Sequence, residues 1–134
     1  MRNYLIIEKD SKSVRSIKNV LEDYKEFNCI GISTTNTNAM NIILKENPDV
    51  VFFNIDNVIE NPFEFTQELN LFNEGLPVFI AISSSKENIY EVIKTGFFDF
   101  LLSPIAELEI RKTILKILKK IPAQSRKTIC LKSY

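Results

Sequence analysis

Five short apolar runs, each followed by a longer stretch of mixed polarity, constrain this chain more than any other feature: YLII at 4–7, CIGI at 29–32, VVFF at 50–53, PVFIAI at 77–82 and FFDFLL at 97–102. Near-continuous apolar runs of this length suit strands buried on both faces, the condition of a parallel sheet covered by helices. In SKSVRSIKNVLEDYKEF, which follows the first run, Val14, Ile17, Val20, Leu21 and Tyr24 keep a three-four spacing, with Asp10 or Ser11 as cap. A weaker second helix holds Asn38, Met40, Ile42, Ile43 and Leu44 and ends before Pro48, because proline pushes the preceding residue out of helical geometry. Pro62 after a capping Asn61 opens a third helix through Phe65, Leu69 and Leu71, and Ser85 caps a fourth carrying Ile89, Tyr90, Val92 and Ile93, stopped by Gly96. The fifth, ELEIRKTILKILKKI, collects basic residues at its end, where the helix dipole favours them.

Strands alternating with helices in this way form βαβ units. Five of each predict an α/β fold, a flavodoxin-like doubly wound five-stranded parallel sheet of (βα)5 type with strand order 2-1-3-4-5. In that topology a ligand site forms beyond the carboxyl ends of the strands near the order reversal, so the ends of the first, third, fourth and fifth runs decide function.

At 134 residues one domain is expected, with boundaries 1–121, followed by a linker at 122–134. No apolar run is long enough to cross a bilayer, and the N-terminus meets charge after four apolar positions, too few for a signal peptide, so a cytoplasmic location without membrane contact is expected. The 17 basic and 17 acidic side chains balance, but three of the basic ones lie in 122–134, which leaves 14 against 17 in the globular part. That mild acidity gives no footprint for nucleic acid. Cys29 and Cys130 have neither ligand spacing nor a histidine partner, since the chain has no His, and are read as buried or incidental thiols.

The strand ends carry motifs. IIEKDS, PDVVFFNID, GLPVFIAIS and DFLLSPI stand in register over residues 3–121, and together they resemble the receiver domain of bacterial response regulators. The resemblance implies a site in which two adjacent acids after the first strand and an aspartate ending the third hold magnesium. That aspartate takes a phosphoryl group from a histidine kinase, and a Thr or Ser ending the fourth strand and a Lys before the last proline contact the phosphate. Here Glu8 keeps the first acidic position and Ser83 keeps the hydroxyl, whereas Lys9 replaces the second acid, Asn54 the acceptor and Ser103 the lysine.

Chemistry says what these replacements do. A neutral amide is a poor nucleophile, so covalent transfer at Asn54 should fail, and the resemblance then implies a degenerate, non-enzymatic receiver. Magnesium prefers octahedral oxygen ligands including carboxylates, and Lys9 adds a cation to a site that has lost two anions. Like charges about 4 Å apart at an effective dielectric near 20 repel by roughly 4 kcal/mol, so metal binding is expected to be weak or absent and no cofactor is expected. Ser103 cannot pair with phosphate as an ammonium does, although Ser103–Pro104 is expected to keep the cis bond usual in this loop. Asp56 is weighed as a substitute acceptor against a residue that offers the metal mainly its backbone carbonyl. Glu8 and Asp10 are weighed as a feeble cation site against two solvated carboxylates, one of them a helix cap. Lys9 is weighed as an occupant of the metal's place, bonded to Asn54 or Glu8, against a lysine pointing into water.

The resemblance also implies an output face built from the fourth helix, fifth strand and fifth helix, here Tyr90, Ile93, Phe98 and Phe100, with Phe100 at the position of a switching aromatic. Excess apolar area there suits a homodimer or another protein partner, against the alternative of a thick phenylalanine core. The segment TICLKSY resembles the opening strand of a LytTR-type DNA-binding domain, so DNA contact is expected only through such a domain beyond residue 134. The function expected from all this is an atypical response-regulator receiver acting through protein contacts. A stand-alone adaptor for a kinase or another regulator is the alternative, while a flavin binder is disfavoured because EKDSKS has no glycine to let amides close on a phosphate.

Overall fold

The computed structural model describes residues 1–56, 60–71 and 77–121. Its strands are β1 (Arg2–Ile7), β2 (Phe27–Ser33), β3 (Val50–Asn54), β4 (Val78–Ser83) and β5 (Asp99–Leu102), and its helices α1 (Ser11–Leu21), α2 (Asn36–Glu46), α3 (Pro62–Asn70), α4 (Ile89–Lys94) and α5 (Glu107–Lys120). All neighbouring strands are parallel and the order is β2-β1-β3-β4-β5, as the alternating runs predict. Among the described residues no helix is long and apolar enough to cross a membrane. The segment 122–134, with Cys130 and TICLKSY, lies outside the described residues.

The pleat sends alternate residues of each strand to opposite layers. Tyr4, Ile6, Phe52, Ile80 and Ile82 pack under α1 and α5, where Ile17, Leu21, Ile110, Ile114 and Ile117 are buried. Leu5, Ile7, Val51, Phe53, Phe79 and Ala81 pack on the other side against Ile43, Phe65, Leu69 and Val92. Phe53 anchors that second layer, with its ring centroid 5.5 Å from that of Phe65 and 6.1 Å from those of Phe79 and Phe97. Arg2 is buried and ties the layers at their far end, its Nε donating to the Ile121 carbonyl at 2.6 Å where α5 stops.

Local signals set the helix ends. The Asp10 side chain accepts from Lys12 N–H, Thr35 from Asn38 N–H and Asn61 from Glu64 N–H. Asn47, at φ 47°, closes α2 just ahead of Pro48, and Gly96, at φ 91°, takes the left-handed turn that ends the α4 region.

Three expectations are corrected. β2 is not buried on both faces, because it is the edge strand opposite β5 and exposes Ile32. The first helix ends at Leu21 and not near Phe27, since Phe27 is already the first residue of β2 and its ring packs edge-on against Tyr4 and Tyr24. Ser85 caps a short 3-10 turn at 86–88, which α4 then continues from Ile89.

Candidate functional site

The register brings the motif residues to one rim. Ile7 lies opposite Phe53, Asn54 opposite Ile82 and Ser83 opposite Leu102, so Glu8, Asn54, Ser83 and Ser103 all emerge at the carboxyl ends of β1, β3, β4 and β5. This is the order reversal, where strands leave a crevice because the connections on either side of β1 depart to opposite faces. Ser103 N–H donates to the Ser83 carbonyl at 2.8 Å, and the Ser103–Pro104 bond is cis.

Glu8 is the centre of the first cluster. Its carboxylate is 2% exposed and accepts four contacts from three donors: the Asn54 Nδ2 at 2.9 Å to Oε1 and 3.0 Å to Oε2, with the Lys9 and Asp10 backbone N–H groups at 2.9 and 3.2 Å on Oε2. The expectation of a solvated Glu8 is therefore wrong, because the turn after β1 folds its amides back over the carboxylate. Asn54, 9% exposed, completes its amide through Oδ1, which accepts from Asp56 N–H at 2.7 Å. These two partners fix the amide orientation, since a carboxylate takes only donors and a backbone N–H takes only an acceptor.

The Asp10 side chain stands apart from this cluster. It is exposed, with Oδ1 accepting from Lys12 N–H at 3.3 Å and Oδ2 from the Ser13 hydroxyl at 2.9 Å. The Ser13 hydroxyl first, and the Lys12 amide after it, hold the Asp10 carboxyl below the usual aspartate range. Lys9 is exposed beside Glu8 and lines a surface hollow with Arg15 and Lys18. Among the described residues no three acidic or thiol side chains gather in a form that would hold a metal ion.

A second cluster surrounds Asp56. Its Oδ1 accepts from the Ser83 hydroxyl at 2.6 Å, and its Oδ2 accepts from the Ser84 N–H at 2.9 Å and the Ser84 hydroxyl at 3.0 Å. Partial burial works against the charge, but the Ser83 hydroxyl and the two Ser84 donors together outweigh it and hold this carboxyl below its ordinary value. Sequence reasoning singled out Ser83 and missed Ser84. The only available signal was the run of three serines leaving β4.

On the flank, Tyr90 and Ile93 are 74% and 68% exposed, whereas Phe98 and Phe100 are half-buried. Leu108 and Leu115 of α5 are also exposed, while Ile110, Ile114 and Ile117 face the core.

No protein-family model matches the chain. Solved structures decide the fold. The receiver domain of AraT, a response regulator from Geobacillus stearothermophilus, superposes with a TM-score of 0.79 at 19% identity, covering 92% of this chain and 98% of that one. The signal receiver domain of a DNA-binding response regulator from Colwellia psychrerythraea 34H gives 0.76 at 19% identity over 89% and 99%. This chain has the receiver-domain fold. The response regulatory domain of mrkE from Klebsiella pneumoniae agrees, with a TM-score of 0.73 at 17% identity over 93% of this chain and 98% of that one. Among curated sequences the chain is similar to the sensory transduction protein LytT of Bacillus anthracis, 24% identical over 124 residues. The match takes in 92% of this chain and 50% of that protein, so the chain spans about half the length of the curated relatives it matches.

Proposed function

We propose that this receiver domain serves an atypical response regulator in the cytoplasm and is not phosphorylated at position 54. One observation carries the reading: the Asn54 amide donates to both oxygens of a buried Glu8, so a neutral side chain does the bridging that a cation between two carboxylates would otherwise do. The donor set does not fit magnesium. Glu8 is already saturated by N–H groups, the Asn54 Oδ1 is taken by Asp56 N–H, Asp10 faces its own helix, and Lys9 brings positive charge. An ion entering there must displace at least two hydrogen bonds to a buried carboxylate, each worth about 1.5–3 kcal/mol, before gaining any ligand. Ser103 in place of a lysine removes the ammonium that would pair with a phosphoryl group.

Signalling then runs through protein contacts at the face of α4, β5 and α5, with a second copy or another protein as partner, in a longer transcription regulator whose DNA contacts lie outside this domain. The exposed Tyr90 and Ile93 of α4, and Leu108 and Leu115 exposed on α5, support that face, because exposed large apolar side chains mark association surfaces. Incubation with acetyl phosphate and magnesium, read by intact mass, tests the chemistry. No adduct is expected, and a phosphoryl adduct mapped to residue 54 by peptide fragmentation would overturn the proposal.

A further inference from the structure

The donors around Asp56 are arranged as an anion receptor. Two hydroxyls and one backbone N–H, from two consecutive residues at the end of β4, converge on one carboxylate delivered from the end of β3. Each carboxylate oxygen has at least one donor at 2.6–3.0 Å, and charge-assisted bonds of this length are the strong ones. The turn is organised around this charge and not merely near it.

The bonding continues past the carboxylate. While donating its O–H to Asp56, the Ser83 hydroxyl accepts from Ser85 N–H at 3.1 Å, and the Ser85 hydroxyl accepts from Glu87 N–H at 3.1 Å. Glu87 sits within the 3-10 turn at 86–88 that leads into α4 at Ile89. Lys86 and Ile89, on that turn and the first residue of α4, form one wall of a groove of about 400 Å³ whose other side is Phe100, Leu102 and Pro104. Cap bonds of this kind are each worth about 1 kcal/mol and are the main order in so short a turn. α4 itself is only six residues long, too short to hold its place by helical hydrogen bonding alone.

We propose that Asp56 is a built-in anion that permanently occupies the receptor at the end of β4 and thereby fixes the start of α4 and the wall of the adjoining groove. The chain supplies internally the negative charge that this turn needs, so the α4 face is held in one position without any bound ligand. An adduct mapped to residue 54 in the acetyl phosphate experiment would sink the reading of Asn54 and leave this latch untouched, whereas an adduct mapped to Asp56 would overturn the latch, since it depends on the free carboxylate of Asp56 and its serine donors.

Amide hydrogen exchange on the full chain, followed residue by residue by NMR, tests the latch in Asp56→Ala and Asp56→Asn. In Asp56→Ala the amides of Ser85, Glu87 and α4 are expected to exchange at least about tenfold faster, while those of β1 and α1 keep their rates. The Asp56→Asn side chain retains one acceptor oxygen and is expected to give a smaller increase confined to the same amides. A change limited to Ser84 with α4 unaltered would show a local bond and overturn the proposal. An equal acceleration in every element, in both variants, would overturn it as well, because the carboxylate would then support the whole fold and not this junction. If Asp56→Ala does not fold, the Asp56→Asn pattern decides alone: selective loss at 85–94 supports the latch, and wild-type rates there refute it.

Discussion

Placing a carboxylate at position 54 is the sharpest perturbation available. Asn54→Asp is isosteric, so it changes charge and bonding with little effect on packing. It replaces an N–H donor at 2.9 and 3.0 Å from the two Glu8 oxygens with an anionic oxygen at the same distance from a carboxylate that is 2% exposed. Two unit charges about 3 Å apart repel by roughly 1.4 kcal/mol at the dielectric of water and about 5.5 kcal/mol at the effective value near 20 that suits partly buried pairs. Two hydrogen bonds to a charged acceptor are lost besides. The nearby Lys9 offsets part of this, and a net destabilisation of about 3 kcal/mol is expected, a large share of the 5–15 kcal/mol typical of such domains.

Urea unfolding near neutral pH measures that loss as a lower midpoint at unchanged slope. Two further arms identify its origin. The new carboxyl ionises less readily in the folded state than in the unfolded chain, so between the ordinary aspartate range and its raised folded value the native state binds more protons. Stability of the variant relative to wild type therefore falls as pH rises through that window and is recovered on returning toward pH 4. Magnesium, which now has a pair of anions to bridge, should raise the variant's unfolding free energy by about 2.7 kcal/mol at a concentration 100 times its dissociation constant, read as a higher urea midpoint, and leave wild type unmoved. A variant as stable as wild type at neutral pH in the absence of metal would refute the reasoning, because the amide would then not be holding Glu8.

Other expectations follow from the same contacts. Arg2→Met keeps the apolar stem but leaves the Ile121 carbonyl just after α5 without its 2.6 Å donor; a loss of about 1.5–3 kcal/mol is expected in urea unfolding, nearly all of it from that buried bond, since Glu26 on the other side is half-exposed. If the partner is a second copy, wild type self-associates with rising concentration in analytical ultracentrifugation and Ile93→Glu abolishes this while leaving the thermal midpoint within a degree or two, because the side chain it replaces is solvent-facing; association that survives the change would rule this face out. Asp10 and Asp56 have folded values below the usual 3.8, so the stability they contribute is complete above that value and is lost as pH falls through the folded ones. A wild-type urea midpoint that did not drop below pH 4, or a drop no smaller in Asp56→Asn, would contradict this.

The architecture was legible because periodicity and burial are local facts written in the order of residues. Apolar runs for strands, three-four spacing for helices and Asp10, Asn61 and Pro62 at helix starts each act within a few residues, and the parallel order follows from their alternation. Where β2 departs from this, the cause is topological: a strand is buried on both faces only if neighbours and helices enclose it, and CIGI carries no mark of being at the edge. The site was legible as a set of positions but not as a circuit. Glu8, Asn54, Asp56 and Ser83 were all named from motif register, yet which of them bonds which depends on pairings 27 and 46 residues apart that no local pattern encodes. An aspartate two residues beyond Asn54 reads from sequence as a spare carboxylate. Only the placement of β3 beside β4 reveals that its oxygens meet Ser83 and Ser84, and so that the neutral Asn54 has a charged neighbour, two residues on, engaged with a hydroxyl at the end of the next strand.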